Sequence, residues 1–266
     1  MGKLKDQFWI WGQAVDSHYN TLNNHYKLPG SSKMTSLEGA YYLGVKNCCR
    51  VVIHDDPKPP FNQDNMALVS MREVVWSVLG AAGSNSKGID VEEVLRQAAI
   101  FPNIRGGVLD DFFSEHGSVP RLSVKEVNDI HKQLNKNTPP LDLWIVVYDY
   151  QLDSPVGEYL NECDVITYWT WRGSELVHLD KNFEKLKKMT PGKRRLAGCY
   201  MWNYGESRPL TVRDMEFQCG KYLNWMEKGD IEGIIFCSNC IADLGLDTVE
   251  WTRNWIAENG EAVYDW

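Results

Sequence analysis

Short apolar runs recur along the chain, and each is followed by polar or aromatic residues and then by an amphipathic helical pattern. Alternating strands and helices over this length predict a parallel sheet covered by helices. Seven or eight such repeats favour a closed (β/α) barrel of about 250 residues. The predicted strands are Phe8–Trp11, Arg50–Ile53, Ile104–Leu109, Leu143–Tyr148, Val165–Trp169, Leu196–Trp202 and Ile231–Phe236.

The regular order breaks after the second predicted strand. Helical patterns over 66–81 and 90–99 follow each other across Gly83–Gly88, and no strand is predicted between them. No eighth strand is evident after the helical pattern at 248–258. We therefore expect residues 1–266 to form one α/β domain, a (β/α)8 TIM barrel that is irregular or has only seven clear strands.

Two surface helices are predicted from apolar stripes at helical spacing. One begins after Thr211 and carries Met215, Cys219 and Tyr222 on a single face. The other begins after Ser123, where Glu126 completes a capping-box pattern. Both are expected to lie on the outside of the sheet.

Composition narrows the function classes. A net charge of −8 and a pI near 5.3 disfavour a polyanionic partner, so no nucleic acid is expected. The sequence contains no apolar run of about 18 residues and no signal-peptide stretch near its start, so we expect no membrane partner and a cytoplasmic protein. Seven cysteines at irregular spacing favour reduced thiols used as small core residues.

The residues that end each strand are the candidates for chemistry, because barrels of this kind place their sites there. Asp110 and Asp111 follow a Gly-rich apolar strand, and Asp149 follows the next one. Side chains alternate along a strand, so we expect only one of Asp110 and Asp111 to face the barrel axis. Two carboxyl groups across a barrel mouth are what glycoside hydrolysis requires, one as acid and one as nucleophile or base. The alternative roles are helix caps, turn residues or ion pairs.

Other strand-end residues fit ligand binding. Aromatic rings stack on the apolar faces of sugars while amides and carboxylates bind hydroxyls, and pockets combine such groups. His54 is expected to bind a ligand or to be structural, and the loop that contains Asp16 is expected to line a cleft or to be a solvated lid. Glu206 is a reserve acid. The predicted substrate-binding residues are His54, Asp16, Trp171, Trp202, Asn203, Tyr204 and Asn239, with Trp171, Trp202 and Tyr204 expected to be exposed.

The segments Gly106–Phe113, Asp164–Trp171 and Tyr200–Gly205 carry a resemblance to bacterial TIM-barrel proteins of the carbohydrate-active kind. The chain resembles these glycoside-hydrolase-like proteins in fold and strand-end chemistry, without matching the motif of a named glycosidase family. The resemblance implies a saccharide as the small-molecule partner.

Three hypotheses remain open. The first is a glycoside hydrolase that uses Asp110 or Asp111 together with Asp149 and needs no cofactor. The second is an isomerase, epimerase or lyase that depends on a divalent metal held by His54, Asp55 and the Asp110–Asp111 pair. The third is a non-catalytic carbohydrate-binding barrel. Cys237 and Cys240 form a single Cys-x-x-Cys motif, which without a second pair does not predict a metal site. Phosphate-loop, dinucleotide-binding and nucleophile-elbow motifs are absent from the sequence.

Overall fold

The computed structural model describes residues 2–21, 23–81, 90–114 and 119–264. Eight parallel strands form a closed barrel in which each strand pairs with the next one along the chain. The first strand also pairs with the last, Trp9 with Ile235 for example, which closes the circle. The strands are β1 Phe8–Gly12, β2 Asn47–Arg50, β3 Glu73–Leu79, β4 Ile104–Leu109, β5 Asp142–Tyr148, β6 Val165–Trp169, β7 Arg194–Tyr200 and β8 Gly233–Cys237.

In the described part of the chain, an α-helix follows every strand, so the (β/α)8 TIM-barrel prediction is confirmed. The helices are α1 Ser36–Leu43, α2 Asn62–Ala67, α3 Val91–Ala98, α4 Val124–Leu134, α5 Gly157–Asn161, α6 Leu179–Met189, α7 Val212–Glu227 and α8 Asp247–Asn259. The predicted starts of α4 and α7 are also confirmed, since Ser123 and Thr211 cap these helices through their side-chain oxygens. At the two ends of the chain, Gly2–Lys3 and Val263–Tyr264 form a separate antiparallel pair.

The strand that the sequence pattern does not predict is β3. The prediction of one helix over 66–81 is wrong, because Glu73–Leu79 is a strand between β2 and β4. All residues of β3 except the first are buried. A strand buried on both faces shows no regular alternation of apolar and polar residues, so its pattern does not distinguish it from a buried helix. The predicted linker Gly83–Gly88 lies outside the described residues.

The second strand also differs from its prediction. It spans Asn47–Arg50, three residues earlier than the predicted Arg50–Ile53. Cys48, Cys49, Val51 and Val52 are all buried, so the apolar run extends on both sides of the true end of the strand. All seven cysteines are free and buried, as their spacing predicts.

Tryptophan rings fill the inside of the barrel. Trp9 packs against Trp144 with ring centroids 5.0 Å apart, and Trp11 packs against Trp169 at 5.2 Å. Because β1 does not pair with β5 or β6, these contacts cross the barrel interior. Gly198 on β7 makes room for one ring, since a Cβ atom there would lie 1.9 Å from Trp169. The rings close the interior below the ends of the strands.

The helices give no sign of a membrane span. Within the described residues, no helix combines the length and the apolar character needed to cross a bilayer.

Candidate functional site

A cavity of about 410 Å³ opens at the carboxyl ends of the barrel strands. Its lining comes from the ends of most strands and from the loops that follow them, so the tails of distant strands meet around one opening. Both acidic and aromatic side chains are present. The residues used below that line this central cavity are Trp11, Gln13, His18, Tyr26, Asp110, Asp111, Arg121, Tyr148, Tyr150, Trp169, Trp171, Tyr200 and Tyr204.

Asp110 and Asp111 both line the central cavity. Both acids lie in the turn that follows the strand, which ends at Leu109, so the alternation of side chains along a strand does not decide their directions. Asp111 has a positive φ of 41°, which breaks the alternation of side chains that holds within a strand. The turn also brings the Asp111 amide 2.9 Å from Oδ1 of Asp110, to which it donates a hydrogen bond.

Asp110 is almost fully buried, with 3% of its surface exposed. Its Oδ2 has no hydrogen-bond partner among the described residues. Burial raises the pKa of the Asp110 carboxyl well above its usual range, and the nearby Asp111 carboxyl raises it further. The Asp111 amide and Arg121 oppose these effects only in part. Asp110 therefore holds its proton to a higher pH than an ordinary aspartate does.

Arg121 supplies a cation to the lining of the central cavity. Its Nη1 donates to the carbonyl oxygen of Gly80 at 2.5 Å and to that of Asp110 at 3.4 Å. Burial lowers the pKa of Arg121, while the Asp111 and Asp110 carboxyls counteract that effect. Its position ties the loop before α4 to the turn that contains the two acids.

Aromatic rings form a wall of the central cavity beside the acids. Trp171 is T-shaped to Tyr148 and to Tyr200, with centroid distances of 5.7 Å in both pairs. It lies nearly parallel to Tyr204 at 6.5 Å. Tyr148 stacks on Tyr150 at 5.4 Å. Because the rings hold one another, the wall is largely pre-formed, as in typical small-ligand sites.

The loop between β1 and α1 contributes to the same wall. Gln13, His18 and Tyr26 line the central cavity, so of the two predicted roles for this loop, lining a cleft is confirmed. The Nδ1 atom of His18 lies 3.0 Å from the Tyr204 hydroxyl. Burial lowers the pKa of His18 to about 3, so the imidazole is neutral at ordinary pH. Asp16 is buried and accepts a hydrogen bond from Asn20, away from the cavity lining.

The structure does not bring Asp149 into the central cavity. Asp149 begins a short 3-10 helix after β5, and its Oδ1 accepts a hydrogen bond from the Trp171 backbone amide at 3.1 Å. It lines a second cavity of about 590 Å³, which also includes Tyr150 and Trp171. Burial raises the pKa of the Asp149 carboxyl. Asp149 is therefore placed outside the central cavity that Asp110 and Asp111 line.

Several predicted binding residues are engaged elsewhere. Trp202 is buried rather than exposed, and its indole N–H donates to the Tyr26 carbonyl oxygen at 3.0 Å. Asn203 is buried and accepts from the Gly173 amide at 3.1 Å. Asn239 is buried as well, and its side chain bonds the backbone of Gln13 through both Oδ1 and Nδ2. These three side chains connect loops and do not line the central cavity.

Two other candidates also lie away from the central cavity. His54 is exposed in a tight turn where it has a positive φ of 50°. Glu206 accepts hydrogen bonds from Asn203, Ser174 and Arg208, and these contacts lower its pKa. Of the seven predicted binding residues, Trp171 and Tyr204 line the central cavity, with Trp171 half-buried and Tyr204 buried.

The part of the chain that the structure describes contains no cluster of metal ligands. There, no three His, Cys, Asp or Glu side chains lie close enough together to hold an ion. The Cys237 and Cys240 thiols are buried, and burial raises both of their pKa values. A thiol with a raised pKa is a poor metal ligand, because metals bind the thiolate form.

Several residues of the site are not among those predicted from the sequence. Tyr148 and Tyr200 are the last residues of β5 and β7, so the strand-end rule that selected the acids also applies to them. Trp11 and Trp169 also end apolar runs. Arg121 carries no comparable signal, because a loop and not a strand places it in the cavity.

Comparison with known proteins supports the fold. No protein-family model and no curated protein matches the chain. Solved structures that match over nearly the whole length include a putative α-L-fucosidase from Bacteroides thetaiotaomicron (TM-score 0.60, 9% identity, 98% of each chain), a chitinase-like lectin from tamarind (0.57, 7%, 95% of this chain and 98% of that one) and the GH99 endo-α-mannosidase of B. thetaiotaomicron (0.55, 9%, 96% and 98%).

Barrels with different chemistry match too. The tryptophan synthase complex of Pyrococcus furiosus has a TM-score of 0.51 at 8% identity, with 97% of this chain and 98% of that chain covered. The likeness shows the fold alone. The resemblance to glycoside hydrolases therefore holds at the level of the barrel, and any function has to be argued from the site.

Proposed function

We propose that this protein is a glycoside hydrolase whose catalytic carboxyl groups are Asp110 and Asp111. The observation that supports this most strongly is the adjacent acid pair in a cavity walled by aromatic rings. A saccharide has flat apolar faces and many hydroxyl groups, and it needs both kinds of surface around it. The central cavity offers both within about 410 Å³.

Asp110 has the properties of a general acid. Its raised pKa keeps a proton available for the glycosidic oxygen as the bond between that oxygen and the anomeric carbon breaks. Positive charge then develops on the sugar ring, and the Asp111 carboxyl stabilises it. A water molecule adds to the anomeric carbon and gives one proton to Asp110, which restores the acid. When two neighbouring acids lie in different environments, their pKa values differ, so one can act as the proton donor and the other as the charged group.

The surrounding residues would bind and orient the sugar. Trp171 offers a ring face for stacking, with the buried Tyr204 packed beside it at 6.5 Å, and the neutral His18 offers its imidazole to a hydroxyl group. Tyr148 donates to Asp111 at 2.8 Å and so fixes the orientation of that carboxyl. In this assignment Asp149 acts through Trp171 and does not touch the substrate as an acid or nucleophile.

Hydrolysis of 4-nitrophenyl glycosides tests the proposal. The panel contains both anomers of glucose, galactose, mannose, fucose, xylose and N-acetylglucosamine. We expect the wild type to release nitrophenol from at least one of them, and Asp110→Asn and Asp111→Asn to lower kcat by about 10²- to 10⁴-fold. Asp129→Asn, which replaces an acid of the exposed face of α4, is the matched control and should retain full activity.

Two results would contradict the proposal. Full activity in both Asp110→Asn and Asp111→Asn would remove the acid pair from the mechanism. Binding of a saccharide without any turnover would favour the non-catalytic carbohydrate-binding barrel instead.

A further inference from the structure

A second cavity adjoins the central one on the same face of the barrel. It has a volume of about 590 Å³ and lies between the loops that follow β5 and β6. Tyr150 and Trp171 line both cavities. We propose that this outer cavity is a subsite for a second, uncharged sugar unit, so that the substrate is an oligosaccharide whose first unit occupies the central cavity. This inference rests on the proposed function.

The boundary between the two cavities is rigid. The Trp171 ring contacts Tyr26, Tyr148, Tyr200 and Tyr204, with centroid distances from 5.7 to 6.5 Å. Its backbone amide is held by the Asp149 carboxyl. A ring fixed from several sides loses little entropy when a ligand stacks on it, which favours binding. Trp171 is thus positioned to contact both of two neighbouring sugar units.

The volumes of the two cavities suit two sugar units better than one. Small-ligand pockets commonly measure about 300 to 1,000 Å³, and each of the two cavities falls within that range on its own. A monosaccharide bound to the acid pair would leave the outer cavity filled with water only. A longer chain would place its next unit there without any movement of the wall.

The lining of the outer cavity explains why the second unit should be uncharged. Arg172 and Lys181 supply cationic donors, while Asp149, Asp153 and Glu175 supply carboxyl acceptors. Asp153 is paired with Lys185 on α6, which offsets one of these charges. This mixture of cationic donors and anionic acceptors suits the hydroxyl groups of a neutral sugar. A phosphate or uronate would be attracted by the cations but repelled by the carboxyl groups.

Binding of oligosaccharides of increasing length tests the inference separately from catalysis. The probes are the cello-, manno-, xylo- and chito-oligosaccharides of one to four units, titrated by calorimetry into the Asp110→Asn/Asp111→Asn double variant. For at least one series we expect the affinity to rise by about tenfold or more from one unit to two or three, a gain of about 1.4 kcal/mol.

Substitutions in the outer cavity should reduce that gain. Lys181→Ala and Asn182→Ala remove two lining side chains of α6 and should each lower the ratio of long-chain to single-unit affinity by about threefold or more. Lys188→Ala replaces an exposed side chain further along the same helix and should leave the ratio unchanged. Thermal melting of each variant confirms that it is folded.

The outcomes separate the two proposals. A length dependence that Lys181→Ala and Asn182→Ala reduce supports the subsite, even if the wild type hydrolyses none of the nitrophenyl glycosides. The subsite is overturned if no series gains affinity with length, or if the gain survives in both variants. If the subsite is overturned in this way but the wild type hydrolyses single-unit glycosides, the proposed function still holds without the subsite.

Discussion

The Tyr148 hydroxyl donates a 2.8 Å hydrogen bond to Oδ1 of Asp111. This bond joins the end of β5 to the turn that follows β4. It also connects the aromatic wall to the acid pair, because the Tyr148 ring contacts both Trp171 and Tyr150. The position of Asp111 therefore depends on a neighbouring strand as well as on its own turn.

Tyr148→Phe should reduce catalysis while leaving the wall in place. The change keeps the ring contacts but removes a hydrogen bond to a carboxyl group, an interaction worth about 1.5 to 3 kcal/mol when it involves a charged partner. We expect kcat to fall by about 10- to 100-fold on the preferred nitrophenyl glycoside, with a smaller change in KM. Tyr41→Phe on the exposed face of α1 is the control. Unchanged steady-state kinetics in Tyr148→Phe would show that this bond does not serve the reaction.

The stability of the Asp110→Asn variant relative to the wild type should increase as pH rises. The pKa of Asp110 is raised by burial in the folded state, while the unfolded chain has a value of about 3.9. Above pH about 4 the unfolded chain loses this proton while the folded protein keeps it. The stability of the folded protein therefore falls as pH rises through the raised pKa of Asp110. The neutral amide does not titrate. We expect the Tm of the variant minus that of the wild type to increase from pH 4 to pH 9, and a constant difference would contradict the raised pKa.

Much of the fold was predictable from the sequence because most strands stand out as separate apolar runs. Ile104–Leu109 and Val165–Trp169 were predicted with their observed bounds. The strand Glu73–Leu79 was not, because both its faces are buried and its Trp76 packs on Phe61 in the helix layer. Without alternation, the local apolar pattern alone does not separate such a strand from a helix.

The site was predictable only in part, for a different reason. Because Asp110, Asp111 and Trp171 lie near strand ends in the sequence, their location at the central cavity was predictable. Position near a strand end did not determine which other side chains remain free to meet a ligand, since that depends on distant contacts. Trp202 bonds a carbonyl in the β1–α1 loop, and Asn239 holds the backbone of the same loop. Partners so far away in sequence leave no trace in the local pattern.

His18→Gln should remove a loss of stability that the wild type suffers in acid. The pKa of His18 falls from 6.5 to about 3 on folding because the imidazole is buried. The unfolded chain therefore binds a proton that the folded one does not, and stability falls as pH decreases from about 6.5 towards 3, by about 1.4 kcal/mol per pH unit. Between pH 7 and 4.5 the free energy of unfolding should drop by about 2 to 3 kcal/mol more in the wild type than in the variant.

Urea unfolding at the two pH values measures this difference. His54→Gln, which removes an exposed imidazole, is the control and should follow the wild type. If His18→Gln loses as much stability in acid as the wild type does, then His18 is protonated in the folded protein.

Asp149 provides the sharpest test of how the roles of the three acids are divided. If Asp149 positions Trp171 through the backbone amide, Asp149→Asn keeps an oxygen acceptor for that bond, whereas Asp149→Ala loses it. We expect Asn to lower kcat/KM by less than about threefold and Ala to lower it by about tenfold, mainly through KM, as fits the loss of about one hydrogen bond. Both variants should be compared on the same nitrophenyl glycoside. A large fall in kcat for Asn as well as Ala would instead make Asp149 a catalytic acid or nucleophile, because an amide replaces the carboxyl as an acceptor but not as an ionisable group.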